Sequence, residues 1–127
     1  ARLRAAAPGV TLVQVVHVDG EEALARAGAA AGDVDAILLD SGNQKLAVKE
    51  LGGTGRRHDW TISRRIRDAV EVPIYLAGGL TPANVADAVA TVDPYGLDVC
   101  SGVRTEGRLD PGKLSALAAA AGLTARG

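Results

Sequence analysis

The chain has 127 residues, enough for one domain with a core but well short of the roughly 250 typical of a closed eight-fold β/α barrel. Its 14 Lys and Arg against 15 Asp and Glu leave a net charge of -1, which gives no reason to expect nucleic acid or an anionic membrane as partner. Cys100 is the single cysteine, so an internal disulfide framework is excluded, and without Cys/His ligand spacing no metal site is expected. No apolar run approaches the roughly 20 residues needed to span a bilayer and no signal-peptide layout is visible, so the expected compartment is the cytoplasm. With no Phe, no Met and 16 Gly, the core is one of small aliphatic side chains that lets helices lie close on a sheet.

In chain order, Ala1 to Ala7 read as the last turns of a helix stopped by Pro8-Gly9, neither of which continues a helix. The β-branched run Thr11 to Val18 has the pattern of a buried parallel strand with His17 packed at its end. Alanines at helical spacing predict a helix from Glu21 to Ala31, closed by Gly32-Asp33. A second strand, Ala36-Ile37-Leu38-Leu39, ends on Asp40 and opens into a long polar loop through Asp59; the next helix is expected from about Thr61 to Val70, with Ile62, Ile66 and Ala69 on one face.

The third unit is the strand Pro73 to Ala77, the turn Gly78-Gly79-Leu80, and a helix with Thr81 as N-cap, Pro82 at its first position and Val85, Ala88, Val89 and Val92 as its apolar stripe. The fourth is the strand Leu97 to Cys100, then Ser101-Gly102-Val103 and a helix from Pro111 to Ala121 with Leu114, Leu117 and Ala118 inward. Strict β-α alternation without a hairpin signal predicts an α/β fold with a parallel sheet and right-handed crossovers. Either a small open sheet or half of a β/α barrel satisfies it, and both place their chemistry at C-terminal strand ends.

Asp40, Gly78-Gly79 and Ser101-Gly102 all fall at such ends. Glycines let backbone N–H groups approach an anion, and a following helix N-terminus adds its positive end, so Gly78, Gly79, Ser101 and Gly102 are candidate phosphate ligands; the competing reading is that they serve tight turns. Asp40 is placed to act as an acid, or else to cap a turn or pair with Lys45 or Arg56. Gly52, Gly53, Thr54 and Gly55 form a glycine-rich loop without the Lys-Ser/Thr of a nucleotide P-loop, suited to a lid. Asp59 beside His58 reads more readily as an N-cap than as half of a dyad. Cys100, on a buried strand of small side chains, reads as an inert core thiol.

Taken together, Leu38-Leu39-Asp40-Ser41, Gly52-Gly53-Thr54-Gly55 with His58-Asp59-Trp60, Leu76-Ala77-Gly78-Gly79-Leu80 with Pro82-Ala83-Asn84-Val85, and Asp98-Val99-Cys100-Ser101-Gly102-Val103 followed by Gly107, Asp110 and Lys113 resemble phosphoribosylanthranilate isomerase of tryptophan biosynthesis. The likeness runs from about Thr11 to Leu117 and corresponds to strands five to eight of that family's (β/α)8 TIM barrel. It implies that residues 1–127 form a single domain of four β-α units, a half-barrel with outer helices. It also implies an Amadori rearrangement, an intramolecular aldose-ketose isomerisation of N-(5-phosphoribosyl)anthranilate to 1-(2-carboxyphenylamino)-1-deoxyribulose 5-phosphate, without metal or cofactor.

On that resemblance Asp40 is the general acid that protonates the furanose ring oxygen, Gly78, Gly79, Ser101 and Gly102 hold the 5-phosphate, and the loop at Gly52 to Gly55 closes over the substrate. The family's general base, a cysteine inside a Lys-Ile/Val-Cys-Gly segment, has no counterpart in this sequence. Arg104 stands where the family usually has Glu, and Leu109 where Lys is common. The expectation is therefore a C-terminal half whose parent is active while the isolated chain is not. The alternatives are a non-catalytic half-barrel that binds a phosphorylated ligand or self-associates, or a paralogue acting on another phosphosugar. Two unpaired sheet edges and an apolar inner face predict self-association, or pairing with the missing N-terminal half.

Overall fold

The structure, a computed structural model, describes residues 2–41 and 54–122. A short helix α1 (Arg2–Ala6) leads into β1 (Val13–His17), α2 (Glu22–Ala31), β2 (Ala36–Asp40), α3 (Thr54–Ala69), β3 (Ile74–Ala77), α4 (Val85–Val92) and β4 (Gly96–Leu97). A 3₁₀ turn at Ser101–Val103 follows, then β5 (Arg104–Thr105), β6 (Arg108–Leu109) and α5 (Pro111–Ala120). The four longer-range strands form one parallel sheet in the order β1-β2-β3-β4. Sequential strands joined by helices are neighbours in that sheet, the arrangement of repeated β-α-β units.

The register explains which side chains are covered. Val16, Leu39, Leu76 and Leu97 are paired across the four strands. With Val18, Ile37 and Ile74 they meet Ala23 and Ala27 of α2, Trp60, Ile62 and Ile66 of α3, and Ala88 and Val92 of α4. All three helices therefore serve one face of the sheet. The other set, Val15, Leu38, Tyr75 and Gly96, lies on the opposite face, where Val13 is 51% and Val15 44% exposed. The expectation that β1 is buried on both faces is thus corrected: nothing among the described residues covers its second face.

Local differences from the predicted elements have plain causes. Helix α3 begins at Thr54 rather than near Thr61. Asp59, Trp60, Ile62, Ser63 and Ile66 are all buried, a stripe at helical spacing that starts before the predicted boundary. Asp59 is therefore interior to the helix and not its N-cap. Ala69, placed on the same face from sequence, is exposed, as is Leu114, at 44%. Helix α4 starts at Val85 with Asn84 as its N-cap residue, so Thr81 and Pro82 belong to the preceding turn. The hairpin β5–β6 has no forewarning in the alternation of units; Glu106 and Gly107 both have positive φ, the backbone that a two-residue type I′ connection needs. Asp110 caps α5, accepting from the Gly112 and Lys113 amides.

Candidate active site

Asp40 ends β2 on the open face of the sheet, paired in register with His17 on one side and Ala77 on the other. One residue beyond Ala77, Gly78 (φ 98) and Gly79 (φ 64) turn the chain through the left-handed region, where a side chain is strained. Asn84 clamps this turn: its Oδ1 accepts from the Thr81 amide at 2.8 Å and its Nδ2 donates to the Gly79 carbonyl at 3.0 Å. The 3₁₀ turn after β4 then packs directly on the next residues, because a Cβ on Gly102 would stand 1.8 Å from the Leu80 carbonyl oxygen.

These turns close a cavity of about 390 Å³ at the C-terminal strand ends, floored by Val15 and Leu38 and walled by Asp40, Gly78, Gly79 and the segment from Asp98 to Gly102. Five of the residues singled out from sequence, Asp40, Gly78, Gly79, Ser101 and Gly102, are brought to this one space. The cavity pairs a carboxyl side chain with a glycine-rich wall, which suits a small phosphorylated molecule that must exchange a proton.

Of the predicted lid residues, Gly52 and Gly53 lie outside the described residues, while Thr54 and Gly55 form the first turn of α3 and not a loop. Lys45 likewise lies outside them, as do the side chains of Arg56 and His58. Cys100 is not on a buried strand: β4 stops at Leu97, and the thiol is exposed and borders the cavity with Asp98. His17 is not packed away either. Its side chain is 72% exposed and its Nδ1 lies 3.6 Å from Asp40 Oδ2. The alternation Val13, Val15, His17 on β1 against Ala36, Leu38, Asp40 on β2 is the signal that could have found it.

Elsewhere, arginines that form a basic cluster in sequence are tied to carboxylates: Arg64 to Asp68, Arg65 to Glu21, and Arg67 to Asp68 and Asp93. Among the described residues no group of three His, Cys, Asp or Glu could hold a metal ion, and no helix is long and apolar enough to cross a membrane.

The family model described as N-(5'-phosphoribosyl)anthranilate (PRA) isomerase matches residues 2–120. The chain belongs to this family. An N-(5'-phosphoribosyl)anthranilate isomerase of Haloferax volcanii is 48% identical over 121 residues, covering 95% of this chain and 52% of the relative. That of Methanocella arvoryzae is 46% identical over 101 residues, covering 80% of this chain and 45% of the relative. Among solved structures, the phosphoribosyl anthranilate isomerase of Thermococcus kodakaraensis superposes with a TM-score of 0.74 at 38% identity, over 94% of this chain and 55% of that one. The enzyme of Thermotoga maritima gives 0.75 at 30% identity, over 94% and 55%. A PRA isomerase structure in complex with reduced 1-(o-carboxyphenylamino)-1-deoxyribulose 5-phosphate gives 0.72 at 27% identity, over 94% and 53%. The chain thus spans about half the length of the relatives it matches.

Proposed function

We propose that this chain carries the phosphate-binding and acid-bearing half of an N-(5'-phosphoribosyl)anthranilate isomerase, an enzyme of tryptophan and hence aromatic amino acid biosynthesis acting in the cytoplasm. The observation that supports it is the convergence of Asp40 with Gly78, Gly79, Ser101 and Gly102 on one cavity at the C-terminal strand ends. The four parallel strands then correspond to strands five to eight of a (β/α)8 barrel, and the open face with Val13, Val15 and Tyr75 is the wall of that barrel's interior.

On this reading the glycine turns after β3 and the Ser101–Gly102 turn hold the 5-phosphate, with backbone amides and the Ser101 hydroxyl as donors. The sugar extends from there along the strand ends toward Asp40. The carboxyl proton passes to the furanose ring oxygen, the C1–O bond breaks with its electron pair going to that oxygen, and the anthranilate nitrogen lone pair forms the C1=N bond of the imine. Removal of the C2 proton from this protonated imine gives an enolamine, and a proton taken up at C1 as the C2 hydroxyl loses its own completes the Amadori rearrangement to the ketose phosphate. The base that removes the C2 proton comes from a part of the barrel that the described residues do not include. Pairing with that part, or with a second copy, covers the bare face.

Calorimetric titration with reduced 1-(o-carboxyphenylamino)-1-deoxyribulose 5-phosphate tests the reading. Saturable binding competed by inorganic phosphate is expected; the absence of heat at millimolar analogue counts against it. A paralogue for another phosphosugar would bind inorganic phosphate yet discriminate against the anthranilate-bearing analogue, and the departures at Arg104 and Leu109 make that comparison worthwhile.

A further inference from the structure

We infer that His17 is a positioning residue for Asp40, an assignment that rests on the isomerase reading above. The parallel register sets His17 directly beside Asp40, and paired residues of neighbouring strands, roughly 4.8 Å apart, project to the same face. Nδ1 and Oδ2 stand 3.6 Å apart, an ion-pair separation slightly longer than a hydrogen bond.

The main chain around the pair is held on both sides. The Val18 amide donates to the Asp40 carbonyl at 2.9 Å. The Arg26 guanidinium donates to the His17 carbonyl at 2.6 Å and to Asp19 Oδ1 at 2.8 Å. With both backbones fixed, a small side-chain rotation is enough to bring Nδ1–H onto Oδ2. The charged and titratable groups that face the pair from adjoining elements, among the described residues, are Asp19 and Arg26 from the β1–α2 side and Asp98 and Cys100 across the cavity.

A carboxyl group that donates a proton in one direction needs its rotation about the Cβ–Cγ bond fixed. With Oδ2 turned to the imidazole, Oδ1 is the oxygen that carries the proton and faces the sugar. His17 thus acts through Asp40 and not on substrate, while the phosphate wall on β3 and β4 lies on the far side of Asp40. Loss of His17 should therefore touch turnover and leave binding alone.

The test compares wild type with His17→Leu and His17→Asn, the second because Asn Nδ2 can occupy the place of imidazole Nδ1. Two readouts are used: steady-state isomerase kinetics of the full-length parent and the 13Cγ signal of Asp40. Expected in His17→Leu are a kcat lowered by about tenfold or more, the effect of a misplaced catalytic group, a KM within about twofold of wild type, and a moved Asp40 signal; His17→Asn should restore most of each. An unmoved Asp40 signal, or a His17→Leu kcat equal to wild type, overturns the assignment. A full-length parent without turnover counts against the isomerase reading alone, and the Asp40 signal then decides whether His17 holds the carboxyl.

Discussion

Gly102 lies against Leu80 so closely that an added Cβ would stand 1.8 Å from the Leu80 carbonyl oxygen and 2.9 Å from its carbonyl carbon. The obstructing atoms are main chain, so no side-chain rotation relieves the clash. This contact fixes the distance between the two turns that wall the cavity. Gly102→Ala is expected to push the 3₁₀ turn away from residues 80–81, costing about 1–3 kcal/mol as overpacking does. It should also weaken binding of the ketose-phosphate analogue. Urea denaturation and titration calorimetry check the two effects, and a variant as stable as wild type with unchanged affinity would refute the contact.

The turn after β3 depends on glycine for a different reason. Gly78 and Gly79 have φ of 98° and 64°, and a left-handed backbone costs an L-residue about 1–2 kcal/mol. Gly79→Ala should lose about that amount, and Gly78→Ala more, because its φ lies beyond the small left-handed well near +57°. Asn at position 79 should be tolerated better than Ala, since Asn enters the left-handed region more readily. Thermal melts of the three variants rank them directly.

The strand-end features were legible in the sequence because they are local. A carboxylate that ends an apolar run and a glycine pair that ends another announce themselves without knowledge of what lies beside them. His17 was not legible, because its meaning depends on the β1–β2 register, which brings together residues 23 positions apart. The bare face was only partly so: Val13, Val15 and Leu38 read as buried strand residues, as they would be with a further part of a barrel opposite. Cys100 was misplaced because β4 stops three residues before it, and the start of α3 was masked by glycines that read as loop.

Asp40→Asn keeps the shape of the side chain and removes its acidity. On the proposed function, and measured in the full-length parent, analogue affinity is expected to stay within about threefold of wild type, since the glycine turns are untouched, while turnover falls by the roughly 10²–10⁴-fold of a lost general acid. Equal losses in both quantities would mean that Asp40 contributes to binding. Unchanged turnover would remove it from the mechanism.

Acid stability should carry the signature of Asp110. The Thr105 hydroxyl, which donates at 2.7 Å, together with the Lys113 and Gly112 amides, holds the Asp110 carboxyl below its ordinary 3.8. A depressed folded-state value means that the folded state prefers the carboxylate. The associated stability is complete above the unfolded value and is lost as pH falls through the folded one. Asp35 and Asp68 behave in the same sense, Asp35 through the Leu12 amide and Arg4, Asp68 through Arg64 and Arg67. Melting temperature should therefore fall as pH drops below about 4, where the unfolded carboxylates take up protons. Asp110→Asn should make that decline shallower while retaining part of the α5 cap, since Asn also caps helices.

The face of the sheet opposite the helices offers a last test. Val13 and Val15 are 51% and 44% exposed, and Tyr95, at 73%, is likewise exposed; its ring meets that of Tyr75 edge-on with centroids 5.6 Å apart. The Tyr75 ring in turn lies over Gly96, whose missing Cβ would be 2.5 Å from it. This apolar surface adjoins β1, whose outer edge has no strand partner among the described residues. Contiguous exposed apolar surface beside an open edge drives association in water. The wild-type chain should scatter light as a dimer or larger species at micromolar concentration. Val15→Lys, which places a charge on the edge strand of this face without touching the helix-side core, should shift it toward the monomer. A wild-type chain that remains monodisperse and monomeric would show that this face is not an association surface.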